Sequence, residues 1–244
     1  ALMGFRTSEG VICNTPQTLQ LAIEDMSATF GKRYPRGREF LERLAKMGGS
    51  NAPPAELAAL SAEALLANPL LDFDKLLLIR RNPGNLCLPQ NWQGNCALPR
   101  DGYDNEIAVL SPVSPAGKLT TLYRPERRVF VGDVDLHFDA GKMIFSSISD
   151  KNRWHIYEIG ADGKGLAQVT PGDESDVDNY DPTYLPDERI IFGSTRYFQG
   201  VPCVGGGDRV ANLFSINAKR DPASIRQLTF EQDHDWCPTV LNNG

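Results

Sequence analysis

The stretch Asp181-Pro-Thr-Tyr-Leu-Pro-Asp-Glu-Arg-Ile-Ile-Phe-Gly-Ser194 decides the fold. A proline-bearing approach, a Pro-Asp turn and a run of β-branched and aromatic residues have the composition of a β-hairpin. Two further strand-like runs follow, Ala211-Asn-Leu-Phe-Ser-Ile216 and Ile225-Arg-Gln-Leu-Thr229. Upstream the same order appears as Leu136-His-Phe-Asp-Ala-Gly-Lys-Met-Ile-Phe-Ser-Ser147, Trp154-His-Ile-Tyr-Glu-Ile159 and Asp162-Gly-Lys-Gly-Leu-Ala-Gln-Val-Thr170. A third copy opens at Pro238-Thr-Val-Leu-Asn-Asn-Gly244. Aligning Phe145 with Phe192 and Pro182 with Pro238 gives spacings of 47 and 56 residues, the longer one absorbing a loop around Gly200 to Gly207.

Units of this length with four short strands are what a β-propeller requires, because each small twisted sheet buries its faces only against neighbouring blades. An earlier, more diverged unit fits Leu76 to Arg124, with strands at Leu76–Arg80, Ile107–Ser111 and Leu119–Tyr123. The expectation is a mainly β chain: a partial propeller of about three four-stranded blades over 71–244, with blades near 73–125, 130–171 and 181–230 and the next starting at 235. Closure takes roughly four to eight blades. The expected ring is therefore incomplete, and the chain is read as part of a longer protein whose remaining blades or domains are its first partners.

Residues 1–70 have another character. Leu19, Ala22, Ile23 and Met26, and then Phe40, Leu41, Leu44 and Met47, recur at three and four residues, the period of a helix with one apolar face. Gly48-Gly49 stops the second helix, and Pro53-Pro54 starts a third that ends near Asn68-Pro69. The Ala- and Leu-rich run 55–71 carries Glu56, Glu63 and Asn68, so it reads as a helix in water and not as a membrane span. A net charge of −6 argues against nucleic acid as a partner. Lys32, Arg33, Arg36 and Arg38 read as the solvated face of a helix start.

The blade pattern of Asp181 to Phe192 and Asp162 to Thr170 resembles the WD40-like repeats of TolB-type propellers. More narrowly, Leu88-Pro-Gln-Asn-Trp-Gln-Gly-Asn95, Gly200-Val-Pro-Cys-Val-Gly-Gly206 and Gln227-Leu-Thr-Phe-Glu-Gln-Asp-His-Asp-Trp236 resemble segments of proteins related to the middle domain of the hydrazine synthase alpha subunit. The resemblance implies a periplasmic or secreted location. It also implies an alternative function, the propeller domain of a haem-dependent redox enzyme whose cofactor-bearing part lies elsewhere. Haem attachment normally needs C-x-x-C-H, and the five cysteines here, Cys13, Cys87, Cys96, Cys203 and Cys237, include no C-x-x-C pair. Haem is thus not expected on this chain. Cys87 and Cys96 could be a local disulfide in an oxidising compartment or two reduced thiols.

Four groups of residues are candidates for function. Asp173, Asp176 and Asp178, with Asp181, are oxygen donors that could ligate calcium from a flexible loop; the other reading is a solvated loop between blades in which Asp181 fixes the turn before Pro182. His234, flanked by Asp233 and Asp235, could bind metal, move a proton, or hydrogen-bond to a neighbouring blade. Asn91, Trp92 and Gln93 combine an indole with amides and suit a carbohydrate or peptide ligand, or else plug the propeller. His137 and His155, inside strand patterns, read as packing or edge residues. G-x-S-x-G, H-E-x-x-H and S-x-x-K are all absent from the sequence. The reading that follows is a non-catalytic binding or scaffold module whose blade-start loops face a carbohydrate or protein ligand.

Overall fold

A computed structural model describes residues 15–48, 53–90 and 93–241, together with the backbone of 6–7 and 10–11. The chain divides into two compact units, residues 1–76 with 109–119 and residues 77–108 with 120–244.

In the first unit a two-stranded ladder, β1 (Arg6–Thr7) and β2 (Gly10–Val11), precedes three helices, α1 (Pro16–Phe30), α2 (Gly37–Lys46) and α3 (Pro54–Leu66). Thr15 caps α1, accepting the Thr18 N–H while Thr18 reaches back to the Thr15 backbone, and Pro16 sits at the first helical position, where no N–H is needed. The apolar stripes fold inward as their period requires: Leu19, Ile23 and Met26 meet Phe40, Leu44, Leu57, Leu60 and Ala64 in one core. Tyr34 Oη donates to the Ala64 carbonyl across this core, 2.9 Å. On the outside, Arg36 pairs with Glu39 and Glu63, and Arg38 with Glu42. No helix among the described residues is long and apolar enough to cross a membrane.

Mainly β structure follows, in three antiparallel sheets. The first holds β3 (Leu76–Arg80), β4 (Glu106–Ser111) and β5 (Lys118–Tyr123); the second β6 (Val131–Leu136), β7 (Lys142–Ile148), β8 (Trp154–Gly160) and β9 (Ala167–Gln168); the third β10 (Asn179–Tyr184), β11 (Ile190–Ser194), β12 (Asn212–Ile216) and β13 (Arg226–Gln227). Each strand pairs with the next in sequence, so every sheet is a meander. The repeat shows in the register: Phe145 faces Tyr157 in the second sheet and Phe192 faces Phe214 in the third.

Alternation explains why Met143-Ile144-Phe145 of β7 are apolar at consecutive positions. Met143 and Phe145 join Ile107, Val131 and Ile159 in one core, while Ile144, pointing the other way, joins Tyr184, Ile190, Phe192 and Phe214 in the next. A strand sandwiched between two sheets buries both faces, as blade stacking demands. Among the described residues the first sheet has three strands, and the expected fourth does not appear. Among the described residues, 82–90 and 93–105 form loop and one 3-10 turn, Asn95–Ala97, with Cys87 and Tyr103 packing with Phe130, Trp154 and Tyr180. Burying these side chains removes apolar surface without spending chain on another strand. Cys87 and Cys96 are free thiols.

The second and third sheets are also joined by an ion-pair relay. His137, 7% exposed, places Nδ1 2.7 Å from Asp139 and Nε2 2.8 Å from Glu188, with its ring edge-on to Tyr184. Burial opposes the charge on this imidazole, but the two carboxylates outweigh it and hold the pKa above its ordinary value. A raised folded-state pKa contributes stability that is complete below the ordinary histidine range and is lost as pH climbs through the folded value. Because Asp139 and Glu188 are largely exposed, the expected size is modest. His137→Gln should cost about 1 kcal/mol at pH 5.5 and clearly less at pH 9, read by urea denaturation at both. An equal loss at the two pH values would exclude a charged His137 as the link.

Candidate functional site

The residues that gather at one point occupy the same position in three successive repeats. The ladder between β6 and β7 slips between Gly132 and Asp135, and that between β10 and β11 slips between Tyr180 and Thr183. At each bulge an aspartate takes the left-handed conformation, Asp133 at φ +51° and Asp181 at φ +51°, and Cys237 adopts φ +50° at the start of the next repeat. A bulge takes its extra residue out of the ladder and re-aims the side chain, and aspartate tolerates the left-handed region better than most residues.

The consequence is a carboxyl pair. Asp133 and Asp181 stand close enough for each carboxyl to bear on the other's ionisation. Asn95 Nδ2 donates to Asp133 Oδ2 at 2.6 Å, Cys237 N–H donates to Asp181 Oδ2 at 3.3 Å, and the Asp181 N–H donates to the buried Ser146 Oγ at 3.0 Å. Asp181 is 7% exposed. Burial raises both pKa values, and for Asp181 the neighbouring Asp133 charge adds to the rise. Two like charges this close do not both ionise at neutral pH, so the pair holds a proton. The Cys237 thiol, 3.9 Å from Asp181 Oδ2, is pushed up to about 11 by burial and by Asp181, so it stays a thiol.

A cavity of about 220 Å³ opens onto this pair, and we call it the inlet pocket. Arg81, Gln90, Asn95 and Trp236 form its walls, with Asp133 and Asp181 among its lining. Gly94 is fixed by close approach: a Cβ there would stand 2.3 Å from Tyr180 Oη. That contact seats the 93–95 loop beside the pair.

The residues expected from sequence are distributed as follows. Asp181 lies at the centre of the site. Asn91 and Trp92 lie outside the described residues. Gln93 lines the pocket, its Nε2 donating to Asp208 Oδ2 at 3.0 Å. His234 stands behind the pocket, Nδ1 accepting the Ala211 N–H at 3.1 Å, and burial lowers its pKa despite Asp208, Asp233 and Asp235. Asp235 anchors its backbone N–H on the Ala211 carbonyl at 2.8 Å.

Asp173, Asp176 and Asp178 do not converge. Asp178, 1% exposed, accepts two bonds from Arg100 at 2.9 Å each and the Trp154 N–H at 3.1 Å; Asp176 pairs with Arg209 at 2.7 Å and Arg153 at 3.1 Å. The oxygens of Asp176 and Asp178 are taken by guanidinium groups, Asp173 is exposed, and no group of three or more His, Cys, Asp or Glu side chains able to hold a metal occurs among the described residues.

Asn95 belongs to the amide-rich 89–95 loop, whereas Asp133 and Cys237 carry no such signal as site residues. For Asp133 the repeat position is displaced: it stands 12 residues before Phe145, whereas Asp181 stands 11 before Phe192. The turn joining β6 to β7 spans 137–141 and that joining β10 to β11 spans 185–189, and the register Leu136 with Met143 against Tyr184 with Ile190 carries the one-residue difference.

No protein-family model and no curated protein matches this chain. Among solved structures it is similar to the one described as "putative TolB from Agrobacterium tumefaciens", with 20% sequence identity and a TM-score of 0.40, over 55% of this chain and 41% of that one. The match thus spans less than half of that protein's chain.

Proposed function

We propose that the β unit is a non-catalytic binding or scaffold module of a larger periplasmic or secreted propeller protein, and that the inlet pocket receives one amine-bearing side chain of a protein partner. The carboxyl pair at the base of the pocket carries this reading. Asp133 and Asp181 are acceptors in a cavity sized for a single side chain, and an ammonium group would take the place of the shared proton. Gln90 and Trp236 supply a polar and an apolar wall for the stem of such a side chain. A protonated Cys237 beside a carboxyl pair is poor equipment for nucleophilic chemistry, which favours binding over catalysis. Kinship with the middle domain of the hydrazine synthase alpha subunit, and with it the location, rests on the segments 88–95, 200–206 and 227–236.

Calorimetric titration with N-acetyl-lysine methylamide and with its neutral norleucine analogue tests the pocket. The lysine derivative should bind saturably, should release a proton detectable in buffers of different ionisation enthalpy, and should lose its binding in Asp181→Asn. Asparagine accepts the left-handed backbone at that position, so this variant keeps the fold. Equal responses to the two compounds, or none to either, would remove the amine from the proposal.

A further inference from the structure

We propose that a second groove, independent of the inlet pocket and lined by Tyr123, Ser149, His155 and Tyr157, binds a neutral saccharide. The groove has a volume of about 670 Å³, within the range of small-molecule sites and roomy enough for more than one sugar ring. Its walls come from the end of β5, the β7 to β8 turn and β8 itself.

The chemistry of its base is neutral. Tyr123 and Tyr157 flank Phe145, with ring centroids 5.2 and 5.9 Å from it, which holds two half-buried phenol rings in fixed planes. Burial raises both phenol pKa values, that of Tyr157 to about 12. Fixed aromatic planes with polar tips suit the C–H faces and hydroxyls of a sugar.

His155 supplies the directional contact. It is 1% exposed, and burial pushes its pKa down to about 4, so the ring is neutral at any ordinary pH. Thr170 Oγ1 accepts the Ile156 N–H at 3.2 Å and lies 3.0 Å from His155 Nδ1. Thr170 Oγ1 donates to that nitrogen in one tautomer, leaving the imidazole proton on Nε2, and accepts from it in the other, leaving Nε2 an acceptor. Nε2 has no hydrogen-bond partner among the described residues, so a lining residue keeps one neutral ring nitrogen unused, able to pair with a hydroxyl in either tautomer.

The cations around the groove are already engaged. Arg127 bonds the Ser149 carbonyl at 3.1 Å and Asp150 at 3.3 Å, and Lys151 bonds the Gly172 carbonyl. Glu126 and Asp173 are exposed and leave the rim slightly acidic. An anion would therefore displace existing bonds and meet repulsion, whereas a neutral group such as a sugar hydroxyl disturbs nothing.

Maltotriose, cellotriose and chitotriose, titrated into the full chain and followed by calorimetry and by the imidazole ¹⁵N–¹H spectrum, decide the matter. At least one should bind saturably and shift the His155 Nε2 resonance. Tyr157→Ala should weaken it about tenfold, while His155→Gln, whose amide reaches the same position as Nε2, should retain most of the affinity that His155→Leu loses. Should the leucine variant fail to fold, Tyr157→Ala, on the groove wall, still reads the site. Absence of saturable binding for all three sugars, or binding that leaves the His155 signal unmoved, would overturn the proposal.

Discussion

Arg100→Ala is expected to cost about 3–5 kcal/mol of stability. Arg100 holds both oxygens of Asp178 at 2.9 Å, and Asp178 is 1% exposed. Removing the guanidinium leaves a carboxylate sealed from water with the Trp154 N–H at 3.1 Å and a distant Arg153 at 3.8 Å as its remaining support. Such a charge costs far more than the pair contributed, because the desolvation penalty is no longer offset. Asp178→Asn should be milder: the amide oxygen still accepts from Trp154, and Arg100, being partly exposed, can turn to water. Urea unfolding at pH 7 checks the ranking, and a loss below about 1 kcal/mol for Arg100→Ala would contradict it. The same experiment bears on the acidic loop. Were Asp173, Asp176 and Asp178 held by calcium, a chelator would destabilise the wild type; with arginines in that role, a chelator should leave it unchanged.

The acidic loop shows which part of this structure sequence could reveal. Between Lys164 and Arg189 the chain has no basic residue, so a local count of charge finds five unpaired carboxylates in 173–181. Their partners, Arg100, Arg153, Arg196 and Arg209, come from other blades and turns and approach only when the sheets stack. The blades themselves were legible, because a strand buried on both faces must be apolar at consecutive positions, and Met143 to Phe145 and Ile190 to Phe192 state that requirement directly. The three helices were legible for the equivalent reason, their buried residues recurring at three and four. The three-stranded first sheet was not. The described residues of 82–105 form a loop stabilised through Cys87 and Tyr103 against Trp154 and Tyr180, a set of contacts that no local pattern encodes. Asp181 was visible through its turn chemistry, whereas its partner Asp133 was hidden by one extra residue in a hairpin, since a fixed repeat offset lands on Val134 instead.

Asp181→Asn should make the protein more stable than wild type at pH 9 and slightly less stable at pH 5, a crossing that few substitutions produce. The folded-state pKa of Asp181 is raised, to about 8, by burial first and by Asp133 second. For a raised value the stabilising contribution is complete below the ordinary aspartate pKa of 3.8 and is lost as pH rises through about 8. Wild type should therefore lose on the order of a few kcal/mol between pH 5 and 9 from this pair. The amide at position 181 carries no charge to repel Asp133 and can donate to it, so the variant should show a much flatter profile over the same window. The His137 link also weakens with rising pH, but equally in both proteins, and it cancels in the difference. Parallel pH profiles for wild type and Asp181→Asn would show that the pair does not share a proton. The same window governs the proposed ligand: an ammonium group that displaces the proton must bind more tightly as pH rises, up to the point where the amine itself deprotonates. Levelling-off of the affinity gain and of the stability loss at the same pH, near the folded Asp181 pKa of about 8, would tie both to the one carboxyl pair, because only a group whose proton is released in each process can set both.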